Sequence, residues 1–195
     1  MMAAIEVHNL KKSFDEQEVL KGISTTFEKG KTNLIIGQSG SGKTVFLKSL
    51  IGLHQIDEGE ILYDGKELST MDTNEKRGLR TEMGMVFQGN ALFDSLSIED
   101  NVKFALDMFS GLSKPEKIER ANFCLEKVNL ADANKKFPAE VSGGMQKRVA
   151  LARAIALKPK YLFCDEPNSG LDPKTAIVID NLIQEITKEY DITTV

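Results

Sequence analysis

Two spacings of hydrophobic residues alternate along the chain and predict its elements. In the first part, apolar residues interspersed with polar ones predict β-strands; they are Ile5, Val7, Leu10, Phe14, Val19, Leu20 and Ile23. A short apolar run at 33–36 predicts a buried strand, and a Gly/Ser-rich turn ends it. Residues 43–53 then repeat apolar side chains at helical spacing. This part of the chain therefore predicts strands, then a glycine loop, then a helix.

The pattern becomes mostly helical in the middle of the chain. A hairpin turn at Asp64–Gly65 and a strand at 83–87 complete the first part. Amphipathic helices are predicted at three places in the next part: 97–109, 114–128 and 142–157. A buried strand at 161–164, a helix at 173–189 and the start of a strand at 191–195 follow. The predicted fold class is α/β, with a parallel sheet and an inserted block of helices.

Composition restricts the classes of protein to which the chain can belong. Hydrophobic residues make up 41% and charged residues 28%, the balance of a globular domain with a core. The net charge of −4 argues against a nucleic-acid partner, because neutralising a phosphate backbone requires a basic surface. No apolar run approaches the length of about 18 residues that crosses a bilayer, and the first residues lack a signal-peptide pattern. A cytoplasmic protein is therefore expected.

A glycine-rich segment between the predicted strand and helix matches the phosphate-binding loop G-x-x-x-x-G-K-[ST] in full. Its residues are Gly37, Gln38, Ser39, Gly40, Ser41, Gly42, Lys43 and Thr44. The glycines let backbone N–H groups close around phosphate oxygens, and the helix that follows points its positive end at the same anion. Lys43 is predicted to reach the β- and γ-phosphates, and the Thr44 hydroxyl to bind Mg²⁺. The alternative is a Gly/Ser turn that merely caps a helix.

Two acidic residues follow the predicted strand at 161–164. In a parallel sheet the carboxyl ends of the strands form the functional edge, where a phosphate loop also lies. Asp165 is therefore predicted to bind Mg²⁺, and Glu166 to polarise a water for in-line attack on the γ-phosphate. Without the phosphate loop upstream, the same residues would be an ordinary strand end and turn.

A second helix start has the composition of an anion site. Ser142 is a predicted N-cap, and Gly143 and Gly144 leave backbone N–H groups uncovered in the first turn. By itself this is an ordinary capped helix. Its position upstream of the acidic pair favours another interpretation, because here the sequence resembles the ATP-binding cassette (ABC) family, whose signature Leu-Ser-Gly-Gly-Gln precedes an acidic pair in the same way.

The resemblance covers nearly the whole chain and implies roles for further residues. Phe14 falls where the family has an aromatic residue that stacks on adenine, although a Phe in the strand core is the alternative. Gln88 falls where the family has a glutamine that approaches Mg²⁺ and the attacking water. Asp172 ends a segment that matches the nucleotide-binding loop crossing to the partner subunit. The implied domains are an ATP-binding core at 1–88 and 157–195, and a helical subdomain with the signature at 89–156.

Two departures from the family pattern bear on activity. Val141 and Met145 replace the commonest Leu and Gln of the signature, while Ser142 and the two glycines are present. The family also has a switch histidine after its next strand, and neither His8 nor His54 lies at that position. The chain is therefore interpreted as lacking the family's C-terminal part, and slower hydrolysis than in a complete subunit is expected.

The resemblance also implies cofactors, partners and a cargo. In the family two subunits enclose two ATP molecules, so ATP, Mg²⁺ and a homodimer are expected, with an integral-membrane permease holding the protein on the inner face of the cell membrane. Three segments, 45–53, 88–96 and 142–145, resemble the ATPase of bacterial Mla/Mce-type systems. This predicts transport of phospholipid or related lipids, with a lipid-binding partner protein. The alternatives are a solute importer such as an amino-acid importer, a soluble cassette ATPase outside transport, and a catalytically silent nucleotide-binding module.

An apolar cluster within the run 88–96 is the expected contact with the permease. It consists of Ala91, Leu92 and Phe93, and such a cluster suits a groove for an amphipathic helix. Phe93 is the predicted docking residue. Leu92 has the alternative of packing inside the helical block.

Overall fold

The computed structural model describes residues 3–15 and 17–195. Its N-terminal part is a four-stranded antiparallel sheet in the order β2-β1-β3-β4. The strands are β1 (Ala3–Phe14), β2 (Gln17–Glu28), β3 (Glu58–Tyr63) and β4 (Lys66–Glu67). Asp64 and Gly65 both have positive φ angles, 47° and 80°, as a tight two-residue hairpin requires. The predicted hairpin between β3 and β4 is therefore confirmed.

Helix α1 (Lys43–Leu50) packs on this sheet. Ile5, Val7 and Leu10 of β1 are fully buried, and α1 contributes Phe46, Leu47 and Leu50 to the same core. The buried residues Ile5, Val7 and Leu10 of β1 are separated by partly or fully exposed residues, as a sheet with one covered face requires.

A three-stranded parallel sheet forms the second layer. It consists of β5 (Met83–Val86), β6 (Tyr161–Cys164) and β7 (Thr193–Thr194), with β6 in the middle. Tyr161 and Phe163 of β6 pack against the α1 core, whereas Leu162 packs against the helices on the other side. A strand covered on both faces is apolar at every position, which explains the continuous run that predicted it.

The described residues form five further α-helices: α2 (Thr73–Thr81), α3 (Ile98–Phe109), α4 (Lys114–Lys127), α5 (Gly143–Ala154) and α6 (Pro173–Glu189). A short 3₁₀ helix at Pro138–Glu140 precedes α5. The three predicted in the middle of the chain are confirmed, each shorter than predicted by one to four residues. Helix α2 is not predicted by the apolar pattern, because only one of its residues, Leu79, is buried. Among the described residues no helix has both the length and the apolar character needed to span a membrane.

The prediction of a buried strand at 33–36 is wrong. Only Thr32 forms a parallel bridge, to Thr194, and the Asn33 N–H donates to the Thr194 carbonyl at 2.8 Å. Leu34 and Ile36 are 79% and 85% exposed. The physical reason is the lack of a neighbour, because no described strand lies beside residues 34–36 to pair their backbone or cover their side chains.

One core joins the helical block to the end of the chain. Side chains of α3, α4 and α5 pack in the same cluster as Ile179, Leu182 and Ile183 of α6. Residues before and after position 156 thus share one hydrophobic core. The predicted domain limits at 88 and 156 stay a prediction.

Candidate functional site

The phosphate loop connects the bridge at Thr32 to helix α1. Within it the Ser41 N–H donates to the Gln38 carbonyl at 3.2 Å, which makes a tight turn. Gly42, the N-cap of α1, has a left-handed conformation with φ 96°, and a Cβ there would lie 3.0 Å from Leu20. Glycine is therefore required at this position both by the backbone conformation and by the closeness of β2.

Lys43 folds back over the loop. Its ammonium donates to the carbonyl oxygens of Gly37 at 2.9 Å and Gln38 at 3.0 Å. The first N–H groups of α1 have no intrahelical partner, and the helix dipole makes this end positive. The loop therefore offers one cation and several backbone donors to an anion.

Asp165 and Thr44 meet at the C-terminal end of β6. The Thr44 hydroxyl donates to Asp165 Oδ1 at 3.0 Å, and Asp165 is buried. One hydroxyl and one carboxylate suit Mg²⁺, which takes few protein ligands and completes its shell with water and phosphate oxygens. Among the described residues no group of three or more His, Cys, Asp or Glu could form a self-sufficient metal cage. These residues fit an ion shared with a nucleotide.

Gln88 and Glu166 lie beside this pair. Gln88 Nε2 donates to Glu166 Oε2 at 2.8 Å. They meet because β5 and β6 are parallel, with Val86 opposite Cys164, so both side chains extend from the same sheet edge. Glu166 has φ 47°, a strained left-handed conformation of the kind found at functional sites.

The sequence interpretation assigned no role to Lys147 in α5. Its side chain is only 4% exposed, and its ammonium donates to the Gln88 carbonyl at 2.5 Å. Burial lowers the pKa of Lys147, while the carboxylates of Glu166 and Asp165 oppose that shift. The sequence shows a lysine two residues after Met145, but only the fold shows that its side chain reaches Gln88, just beyond the end of β5.

Arg153, also in α5, supports the segment after Gln88. Its guanidinium donates to the carbonyls of Asn90 at 2.8 Å and Ala91 at 2.6 Å. Asn90 and Ala91 both have positive φ angles. Two cations of helix α5, Lys147 and Arg153, thus hold the segment 88–91 by hydrogen bonds to its carbonyls.

Phe14 lies at the end of β1 and is 40% exposed. Its ring makes an edge contact with His54, with centroids 5.3 Å apart, and the Lys12 ammonium lies 5.3 Å from its centroid. Burial, together with nearby Lys48 and Lys12, lowers the pKa of His54, so its imidazole is neutral at pH 7. The exposure of Phe14 favours a stacking surface over a core residue.

The signature residues Ser142, Gly143 and Gly144 lie at the start of helix α5. Ser142 caps α5, its hydroxyl accepting from the Met145 N–H at 3.3 Å. In the ranges 3–15 and 17–195, no hydrogen bond joins Ser142, Gly143 or Gly144 to residues 37–44. Gly144 instead faces α6, where a Cβ would lie 2.5 Å from Thr175 Cγ2.

Asp172 is the N-cap of α6. Its Oδ1 accepts from the N–H groups of Lys174 at 3.0 Å and Thr175 at 3.1 Å, and its Oδ2 accepts from the Thr175 hydroxyl at 2.6 Å. The Thr175 hydrogen bonds hold the pKa of Asp172 below its usual range. In this conformation both carboxylate oxygens serve the cap, and the predicted role in nucleotide binding stays a prediction.

Comparison with known proteins identifies the family. Residues 20–169 match the family described as ABC transporter. The chain belongs to this family. The solved dimeric structure of MJ0796, a bacterial ABC transporter cassette, has a TM-score of 0.87 and 31% identity, and the match covers 97% of this chain and 85% of that chain. The post-hydrolysis state of MJ0796 bound to ADP and Pi has a TM-score of 0.86 with the same identity and coverage. The structure of cbiO1 from Clostridium perfringens, part of the ABC transporter complex cbiONQ, has a TM-score of 0.89 and 29% identity, covering 100% of this chain and 77% of that chain. The predicted α/β cassette fold is confirmed.

Two curated relatives match the chain over almost its full length. One is the probable ribonucleotide transport ATP-binding protein mkl of Mycobacterium tuberculosis, 40% identical over 99% of this chain and 54% of that protein. The other is the methionine import ATP-binding protein MetN of Clostridium tetani, 42% identical over 98% of this chain and 60% of that protein. The chain thus spans a little over half the length of these relatives.

Proposed function

We propose that this protein is the ATP-binding and ATP-hydrolysing subunit of an ABC transporter. The supporting observation is the convergence of two pairs at one sheet edge: Thr44 with Asp165 at 3.0 Å, and Gln88 with Glu166 at 2.8 Å. The partners are 121 and 78 residues apart in the sequence. Such an arrangement beside a phosphate loop supplies the groups needed for phosphoryl transfer to water.

The roles of the side chains follow from their positions. Lys43 and the free N–H groups of the loop would bind the β- and γ-phosphates. The Gln88 amide would hold the attacking water, and the Glu166 carboxylate would accept its proton as the bond from phosphorus to ADP breaks. Mg²⁺, held by Thr44 and Asp165 when bound, would neutralise charge on the phosphates.

Glu166→Gln tests the hydrolytic role. The change is nearly isosteric and removes only the carboxylate that accepts the proton, so ATP binding should persist while turnover falls by at least about a hundredfold. Glu126→Gln, on the exposed side of α4, is the matched control and should leave turnover unchanged. Wild-type turnover in Glu166→Gln would contradict the proposal, and so would loss of ATP binding.

Among the described residues Ser142 makes no hydrogen bond to the phosphate loop, which supports a dimer in which each subunit completes the other's site. Gly143 has nothing within 4 Å of where a Cβ would lie, so this helix start is open to a ligand. Ser142→Asp keeps an N-cap but adds a negative charge. In the Glu166→Gln background, light scattering with ATP should show a dimer, and Ser142→Asp should return it to monomer. If the Ser142→Asp variant stays dimeric with ATP, then the signature does not contact the phosphates of ATP across the dimer interface.

A groove between the core and the helical block is the proposed permease contact. Its volume is about 680 Å³, and its lining includes Phe93 and Phe104. Leu92 packs against the helical core, whereas Phe93 is 41% exposed, its ring centroid 4.6 Å from that of Phe104. This permease would place the protein on the inner face of the cell membrane.

Phe93→Asp should uncouple the subunit from its permease and leave ATP binding by the isolated protein unchanged. Phe123→Asp is the control, because Phe123 lies exposed on α4 outside the groove. Co-purification of the permease with both variants measures docking. Equal recovery with the two would eliminate the groove as the docking site.

The proposed cargo is a lipid, as the resemblance to the Mla/Mce-type ATPases suggests. A small polar solute is the second candidate, favoured by the methionine import protein that is 42% identical to this chain. Purification of the complex from its native membrane separates the two. Stoichiometric phospholipid and ATP-dependent transfer between liposomes would support lipid transport. A bound amino acid without lipid transfer would support the importer.

A further inference from the structure

A cavity lies at the opposite end of α1 from the phosphate loop. Its volume is about 230 Å³, it is partly open to solvent, and its lining comes from the end of α1, the β3–β4 hairpin and α2. The walls are mostly apolar, formed by Ile51, Ile61, Leu68, Leu79 and Met83. None of the residues assigned to ATP lines it.

Two cations from successive turns of α2 line the same cavity. Lys76 and Arg80 are four residues apart, so their side chains lie on one face of the helix. The Lys76 ammonium makes one long hydrogen bond, 3.5 Å, to the Ser69 carbonyl. Across the described ranges neither Lys76 nor Arg80 forms an ion pair with a carboxylate.

Two acidic side chains of this region, Glu75 and Glu67, have other partners. Glu75 pairs with Lys66 and also accepts from the Asp72 N–H at 2.9 Å, and Glu67 accepts from the Ser69 hydroxyl. The lining of the cavity contains Lys76 and Arg80 and no carboxylate, so the two cations leave a net positive charge beside its apolar walls. A neutral apolar solute would use only the walls, and inorganic phosphate would use only the cations.

We propose that this cavity binds a small amphipathic carboxylate, such as a medium-chain fatty acid. Its alkyl chain would lie among Leu68, Leu79 and Met83, and its carboxylate would accept hydrogen bonds from Lys76 and Arg80. A water occupies about 30 Å³, so the volume has room for about seven or eight groups of that size. An eight-carbon acid matches this space.

Titration calorimetry of the protein with octanoate tests the proposal, with octanol as the uncharged probe of equal length. Octanoate should bind saturably at one site, and octanol at least about tenfold more weakly. Leu68→Trp should abolish octanoate binding, because Leu68 is only partly buried and a larger ring there fills the cavity. Absence of saturable octanoate binding would overturn the proposal.

The charged rim needs its own variants. The double variant Lys76→Glu with Arg80→Glu should weaken octanoate binding at least about tenfold. Arg77→Glu is the matched control, since it reverses a charge on the same helix but does not line this cavity, and it should bind as wild type. These substitutions lie at the surface, so they test the carboxylate site even if Leu68→Trp fails to fold. Undiminished binding in the double variant, or equal affinity for octanol and octanoate, would refute the carboxylate site.

Discussion

Gly84→Ala should destabilise the protein severely for a change that adds one methyl group. Gly84 lies in β5, where the strand passes helix α5. A Cβ at this position would lie 2.4 Å from the Ala154 carbonyl oxygen and 3.1 Å from its carbon. Both are backbone atoms that cannot rotate away, so strand and helix must move apart to admit the methyl group.

The size of the effect follows from that geometry. Overpacking a core costs about 1–3 kcal/mol, and backbone on both sides of the contact places this site in the upper half of that range. We expect a loss of about 2–3 kcal/mol in the free energy of unfolding. In a chain of 195 residues each kcal/mol corresponds to about 2–4 °C, so Tm should fall by about 4–12 °C.

Urea unfolding followed by circular dichroism measures the free energy. The matched control is Gly78→Ala in α2, where nothing lies within 4 Å of the added Cβ. There the same substitution should stabilise by about 0.5–1 kcal/mol, because alanine favours a helix interior. A Gly84→Ala protein within about 0.5 kcal/mol of wild type would refute the close-contact reasoning.

Three further predictions concern charged groups. Lys43→Ala should lower ATP affinity at least about a hundredfold with the fold intact, because the cation that meets the phosphates is lost; binding of a fluorescent ATP analogue measures this. Lys147→Met should cost about 1.5–3 kcal/mol in urea unfolding and slow turnover, because the Gln88 carbonyl loses its charged donor. Lys103 and Ser97 hold the pKa of Asp100 below its usual value, so the stability that Asp100 contributes is present at neutral pH and lost as pH falls through its folded-state pKa. Asp100→Asn should therefore be less stable than wild type at pH 7, and the difference should shrink as pH falls below the usual Asp pKa of about 4; a constant difference would exclude this linkage.

The sequence by itself determined the local chemistry. The phosphate loop was identifiable because a fixed spacing of glycines, lysine and threonine is needed to enclose a phosphate, whatever surrounds it. The amphipathic helices α3, α4 and α6 were identifiable because their apolar faces repeat at helical spacing over several turns. The apolar strand β6 predicted the sheet edge where Asp165 and Glu166 lie.

Only the tertiary structure decided which distant groups meet. The contact of Lys147 with Gln88 spans 59 residues and depends on how α5 packs against β5, as Gly84 permits. The apolar pattern at 33–36 suggested burial, yet Leu34 and Ile36 are exposed because burial depends on a neighbouring strand rather than on the residue itself. Helical spacing and loop chemistry act within a few residues, whereas pairing and burial depend on segments far away in the sequence, and these form only when the chain folds.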